Sequence, residues 1–151
     1  MSDLQELVDG LRNKNNKYAY ECLKQLESES MKSDAVYLYF DSFSSMLNDS
    51  NSYIRTRGIL LIAANAKWDK DHKIDEIIDS YLEHITDDKP ITARQAIKVL
   101  PTIAKYKHDL IDDINNALHK GNPQIYKSSM QPLIYKDIQE ALREIANFKQ
   151  V

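Results

Sequence analysis

Leu4, Leu7, Val8 and Leu11 recur at the three- and four-residue spacing that marks one face of an α-helix. The same spacing returns along the chain. Ala19, Cys22, Leu23 and Leu26 form a second stripe, and Val36, Phe40, Phe43 and Leu47 a third. Ile54, Gly58, Leu61 and Ile62 form a fourth, while Ile59 and Leu60 face other ways, as expected of a helix covered on several sides. Ile74, Ile77, Ile78, Tyr81, Leu82 and Ile85 make a one-sided fifth. Ala93, Ala96, Ile97, Leu100, Ile103 and Ala104 follow Pro90, which suits a first helical turn. Leu110, Ile114, Ala117 and Leu118 stop at Lys-Gly-Asn-Pro, residues 120–123. After a turn or short helical piece around 124–130, Pro132 opens a last helix through Ile134, Ile138, Ala141, Leu142, Ile145 and Phe148. The pattern predicts eight helices with short connections in one domain covering residues 1–151.

The pattern also repeats. Helices beginning near residues 3, 34, 72 and 107 each lead into a second helix. Residues 47–62 align with 85–100 at a shift of 38: Leu47 with Ile85, Asp49 with Asp87, Gly58 with Ala96, Ile59 with Ile97 and Ile62 with Leu100. Continued, the shift pairs Ala66 with Ala104 and Trp68 with Tyr106. Two helices per unit with a period in the thirties predict an all-α superhelix, a solenoid of about four helix pairs. The small residues at 58 and 96 then let two helices approach closely.

The pieces D-S-N-S-Y-I-R-T-R-G (49–58) and D-D-K-P-I-T-A-R-Q-A (87–96) carry a resemblance to HEAT repeats. That family places an Asp in the turn between paired helices, then an apolar-Arg pair, then a small residue in the second helix. The likeness is best over 47–106, weaker at 16–26 and poor after 120. With R-x-R-G near the middle, A-K-W-D after it and M-Q-P-L at 130–133, the chain is also similar to small HEAT-like proteins of Gram-positive bacteria often labelled "SufBD protein". Iron–sulfur assembly scaffolds of that name are long and β-helical, and this chain has neither the strands nor the ligands for that role.

Composition narrows the function classes. A net charge of −3 is not that of a polycation drawn to nucleic acid or anionic lipid. Three glycines and four prolines are too few for a turn-rich β fold or a phosphate-cradling loop. The longest apolar run, residues 58–64, is far short of the roughly 20 residues a membrane span needs. The single cysteine, Cys22, excludes an internal disulfide, suits a reducing cytoplasm and lies on a helical apolar stripe. None of the four histidines, His72, His84, His108 and His119, has a partner at zinc-ligand spacing, and Asp69 with His72 reads as a helix start. No cofactor or metal is expected.

One feature of the charge pattern is not random. Residues 50–68, 89–108 and 115–136 hold bases and no acid, whereas 69–88 hold eight acids against two lysines and 109–114 three acids and no base. First helices are acidic and second helices basic. In HEAT-like stacks second helices usually line the concave face, so the resemblance implies a basic groove. Arg55, Arg57, Arg94, Lys98, Lys105 and Lys127 would line it, with Tyr53 and Trp68 among its aromatics. Such a face suits an anionic partner. The reading favoured is a non-enzymatic binding or scaffold module that recognises a protein, acidic in character, through this face. The alternative is nucleic-acid binding, remotely like the HEAT-like alkylpurine DNA glycosylases, with only the pair Trp68-Asp69 to suggest their catalytic Asp. A plainer role for the arginines stays open: Arg55 and Arg94 can brace the repeats through Asp49, Asp87 or Asp88.

Overall fold

Short polar side chains start the helices of this chain. Asp3, Asn15 and Asn51 accept from the backbone N–H groups of Gln5, Tyr18 and Tyr53, which would otherwise lack partners in the first turn. The computed structural model describes residues 3–148; the outermost residues at either end of the predicted domain lie outside it. The described residues form α1 (Leu4–Gly10), α2 (Asn16–Lys32), α3 (Phe40–Met46), α4 (Ser52–Ala64), α5 (Lys73–Leu82), α6 (Pro90–Tyr106), α7 (Ile111–Lys120) and α8 (Gln131–Phe148), with no β-strand among them. The expected all-α class is what is found. Single 3₁₀ turns at Val36–Tyr39, Glu83–Thr86 and His108–Leu110 interrupt three of the predicted stripes, and the piece expected near 124–130 is a 3₁₀ turn at Pro123–Ile125. No helix among the described residues is long and apolar enough to cross a membrane.

The chain divides into two compact units, Met1–Ile74 and Asp75–Val151. In the first, α1 packs on α2, α3 on α4, and α2 on α4. Leu11, Leu26, Phe40, Phe43, Met46, Ile59, Leu61 and Ile62 make its core. Helices α2 and α4 run in the same direction. Near their starts, Arg57 of α4 donates to Leu11 O and Asn16 Oδ1. Near their other ends, Asn65 Nδ2 and Trp68 Nε1, just past α4, donate to the Oγ and carbonyl O of Ser30 in the last turn of α2. Gly58 allows the approach of α4 to α3: a Cβ there would stand 2.7 Å from both Met46 Cβ and Phe43 O.

In the second unit α6 makes its broadest contact with α8 and packs next against the 3₁₀ turn Glu83–Thr86 that links it to α5. The buried Tyr81 hydroxyl donates to Ala96 O at 2.9 Å. Arg94 of α6 holds Asp137 of α8 at 2.6 and 3.3 Å, and Tyr126 donates from the α7–α8 connection to Asp87 O.

The shift of 38 extends further than the sequence motif. Phe43 and Tyr81 are both fully buried, as are Phe43's neighbour Leu47 and its counterpart Ile85. In the first unit the Tyr37 hydroxyl donates to Asp69 at 2.6 Å. At the corresponding positions of the second, Asp75 meets Lys107 at 2.6 Å. One register thus ties the start of a first helix to the end of the following second helix twice, by a neutral–charged hydrogen bond and then by an ion pair.

Burial sets an alkaline limit on stability. It is the main cause that raises the Tyr126 phenol from 10.0 to about 12, with the charges of Asp87 and Asp88 adding to it. Burial also raises Tyr81, and burial plus the bond to Asp69 raises Tyr37. The folded chain holds these protons more tightly than the unfolded one. Their contribution is therefore complete below pH 10 and is lost as the pH climbs through 12. Urea midpoints measured across that interval are expected to fall steeply, and less steeply in Tyr126→Phe. A flat profile would contradict the burial of these phenols.

Candidate functional site

The basic side chains singled out in the sequence divide into two groups once folded. Arg55 is buried on α4, where its Nη1 donates to Asp49 O at 3.0 Å and Ser50 O at 3.1 Å, closing the α3–α4 turn. Arg57 is buried as well. Its guanidinium reaches Leu11 O at 2.8 Å and Asn16 Oδ1 at 3.1 Å, and desolvation pulls its pKa below the usual arginine range. The Tyr53 ring lies 5.9 Å from that guanidinium and is 59% exposed, so the cation shows one aromatic edge to solvent and keeps its donors inside. Trp68 is half-buried. Its Nε1–H satisfies Ser30 O at 2.7 Å, while Lys67 sits 4.9 Å over its ring and donates to Met31 O. These are carbonyls at the C-terminal end of α2, which the helix itself leaves without partners. In the first unit, then, Arg57 and Trp68 tie α4 and the turn after it to α1 and α2, while Arg55 closes the turn before α4.

In the second unit Arg94 is bound to Asp137, which raises the arginine's pKa. The brace expected of Arg94 therefore runs to α8 rather than to the turn acids Asp87 and Asp88. Lys107, counted with the basic second helices, is turned inward to Asp75, its side chain only 6% exposed. Lys98, Lys105 and Lys127 behave differently. All three are exposed, and none makes an ion pair among the described residues. Lys98 and Lys105 are seven residues apart on α6, two helical turns, so they lie on one face. Ile91 occupies the same face another seven residues back and is 69% exposed. Lys105 lies 5.4 Å from the Tyr106 ring centroid. No known family model, curated protein or solved structure matches this chain. The resemblance to HEAT repeats rests on the motif residues and the internal register.

Asp69, the only acid the sequence set beside an aromatic as a catalytic candidate, is committed to structure. Its carboxylate accepts from the N–H groups of Lys73 at 2.8 Å and Ile74 at 3.0 Å, capping α5, and from Tyr37. His72, three residues on, closes this turn in the left-handed region at φ 56°. Among the described residues no group of three His, Cys, Asp or Glu is disposed to hold a metal ion. Two surface features carried no sequence signal strong enough to be singled out. Ile91 resembles any apolar helix residue until its neighbours are known. Tyr20, 55% exposed on α2 with Lys24 5.3 Å over its ring, lies off the apolar stripe of that helix.

Proposed function

We propose that the chain is a HEAT-like α-solenoid of four helix pairs that works as a binding module without chemistry of its own. It recognises an acidic segment of a protein partner through the exposed side chains of its second helices. The observation that carries this reading is the α6 stripe of Ile91, Lys98 and Lys105, with Tyr106 at its end: two cations left without carboxylates beside apolar surface. Unpaired lysines next to exposed isoleucine and tyrosine favour a partner with both acidic and apolar side chains over a bare phosphate backbone. The buried arginines support the module by holding the helix pairs in register.

Because Lys98 and Lys105 project into solvent, Lys98→Glu with Lys105→Glu is expected to leave the helical content and urea midpoint unchanged. The double variant should bind a synthetic glutamate–leucine peptide at least about tenfold more weakly than the parent, with the parent's binding falling as salt rises. Equal peptide binding by parent and variant would remove the face from consideration. Retention on duplex DNA that weakens steeply with salt would instead favour the nucleic-acid reading.

A further inference from the structure

On the first-helix side of the second unit, α5 and α7 leave an open cleft of about 420 Å³. Its floor is apolar, made by Leu82, Ile85 and Ala117, and its rim carries the carboxylates of Asp79, Glu83 and Asp113. All three acids are exposed, and none makes an ion pair among the described residues. An apolar trough flanked by acids offers one ligand both burial and charge contacts. Here the trough and the acids occur together.

The cleft is also polarised. The Ile85 methyl Cγ2 lies 3.1 Å from where a Cβ on Gly121 would be, so Ile85 and Gly121 mark one end. Lys120, adjacent to Gly121, supplies the one positive side chain of the lining at that end, where its charge also complements the carbonyl terminus of α7. Glu83, two residues before Ile85, sits at the same end and offsets Lys120, whereas Asp79 and Asp113 stand about two turns earlier, which leaves the opposite end the more negative. A cation on a flexible aliphatic stem matches this arrangement: ammonium or guanidinium at the end that carries Asp79 and Asp113, where negative charge is in excess, and methylenes over Leu82 and Ala117.

We propose that this cleft receives a lysine or arginine side chain borne on a basic segment of a partner protein. The site is separate from the second-helix face and does not depend on the reading of that face. A polypeptide is favoured over a free polyamine because the rim is open to solvent. Screened contacts with exposed carboxylates contribute little alone, and a backbone along the rim adds the contacts that a small cation lacks.

The test is an NMR titration of the full chain with a capped lysine–alanine peptide, with spermidine and a capped glutamate–alanine peptide in parallel. The lysine peptide is expected to shift the amides of α5 and α7 around the cleft, and the glutamate peptide to leave them unmoved. Asp79→Asn with Asp113→Asn should weaken the lysine peptide by about tenfold, the effect of losing two partly screened charge contacts. Ala117→Trp, which fills the trough without touching the charges, should abolish binding while the circular dichroism is retained. If that variant fails to fold, the asparagine pair still decides. Spermidine binding as tightly as the peptide, shifts spread over the acidic side chains of both units, or unchanged affinity in the asparagine variant would each overturn the proposal.

Discussion

Leucine at position 58 is expected to prevent the first unit from folding, and alanine there to lower its stability by about 1–3 kcal/mol. The alanine result runs against helix propensity, which by itself would favour alanine over glycine by about 1 kcal/mol within a helix. The reason is the 2.7 Å that a Cβ would have to Phe43 O and Met46 Cβ. Phe43 O belongs to the backbone of α3, so the clash cannot be relieved by turning a side chain, and α3 must move away from α4. Phe43 and Met46 would carry the core with them, since both are fully buried. Ala96, at the same register in the second unit, is fully buried with its methyl group in place, and its carbonyl accepts from Tyr81 of α5. The same position thus holds a Cβ in the second unit and has no room for one in the first. Urea denaturation of Gly58→Ala and Ala96→Gly reads the contrast directly. Both variants should be less stable than the parent, the first from crowding and the second from lost helix propensity and packing. A Gly58→Ala protein at least as stable as the parent would show that the close approach is not needed.

Asp69→Ala is expected to cost about 2–4 kcal/mol, the sum of a lost helix cap and of donors left without partners. Three donors converge on this carboxylate: Lys73 N at 2.8 Å, Ile74 N at 3.0 Å and the Tyr37 hydroxyl at 2.6 Å. Asp69→Asn retains an acceptor for the cap and should recover a large part of the loss. Tyr37→Phe should cost about 1 kcal/mol, because the two backbone donors still satisfy Asp69. In the double variant Asp69→Ala with Tyr37→Phe, the combined loss should be smaller than the sum, since the phenol that Asp69→Ala strands is no longer there. Strict additivity would mean that the two groups do not interact. The same measurements bear on the repeat, because Asp75 and Lys107 fill these positions in the second unit. Lys107→Met there should also destabilise, by removing the cation from a largely buried ion pair.

The helices were legible because their cause is local. Apolar side chains at three- and four-residue spacing must share a face, and Asn15, Asn51 and Pro90 start helices through groups within their own first turn. The close approach at Gly58 was legible too, since a glycine inside an apolar helical stripe needs a reason to be there. The break of the third stripe into a 3₁₀ turn and α3 was not, because Val36, Phe40 and Phe43 keep their spacing across it.

Within the candidate face, residue type and spacing could not separate Arg57 from Lys98. Both are cations on second helices with no acid nearby in sequence. Arg57 is drawn inward by the carbonyl of Leu11, 46 residues away, and Arg94 by the carboxylate of Asp137, 43 residues away. Lys98 meets no such group and stays in solvent.

The sequence by itself determined the helical class and the alternation of acidic and basic stretches between residues 50 and 136. Only the tertiary structure decided which charges remain for a partner, because a long flexible cation goes to whichever acceptor the packing of distant helices presents, and no local pattern encodes that acceptor's place.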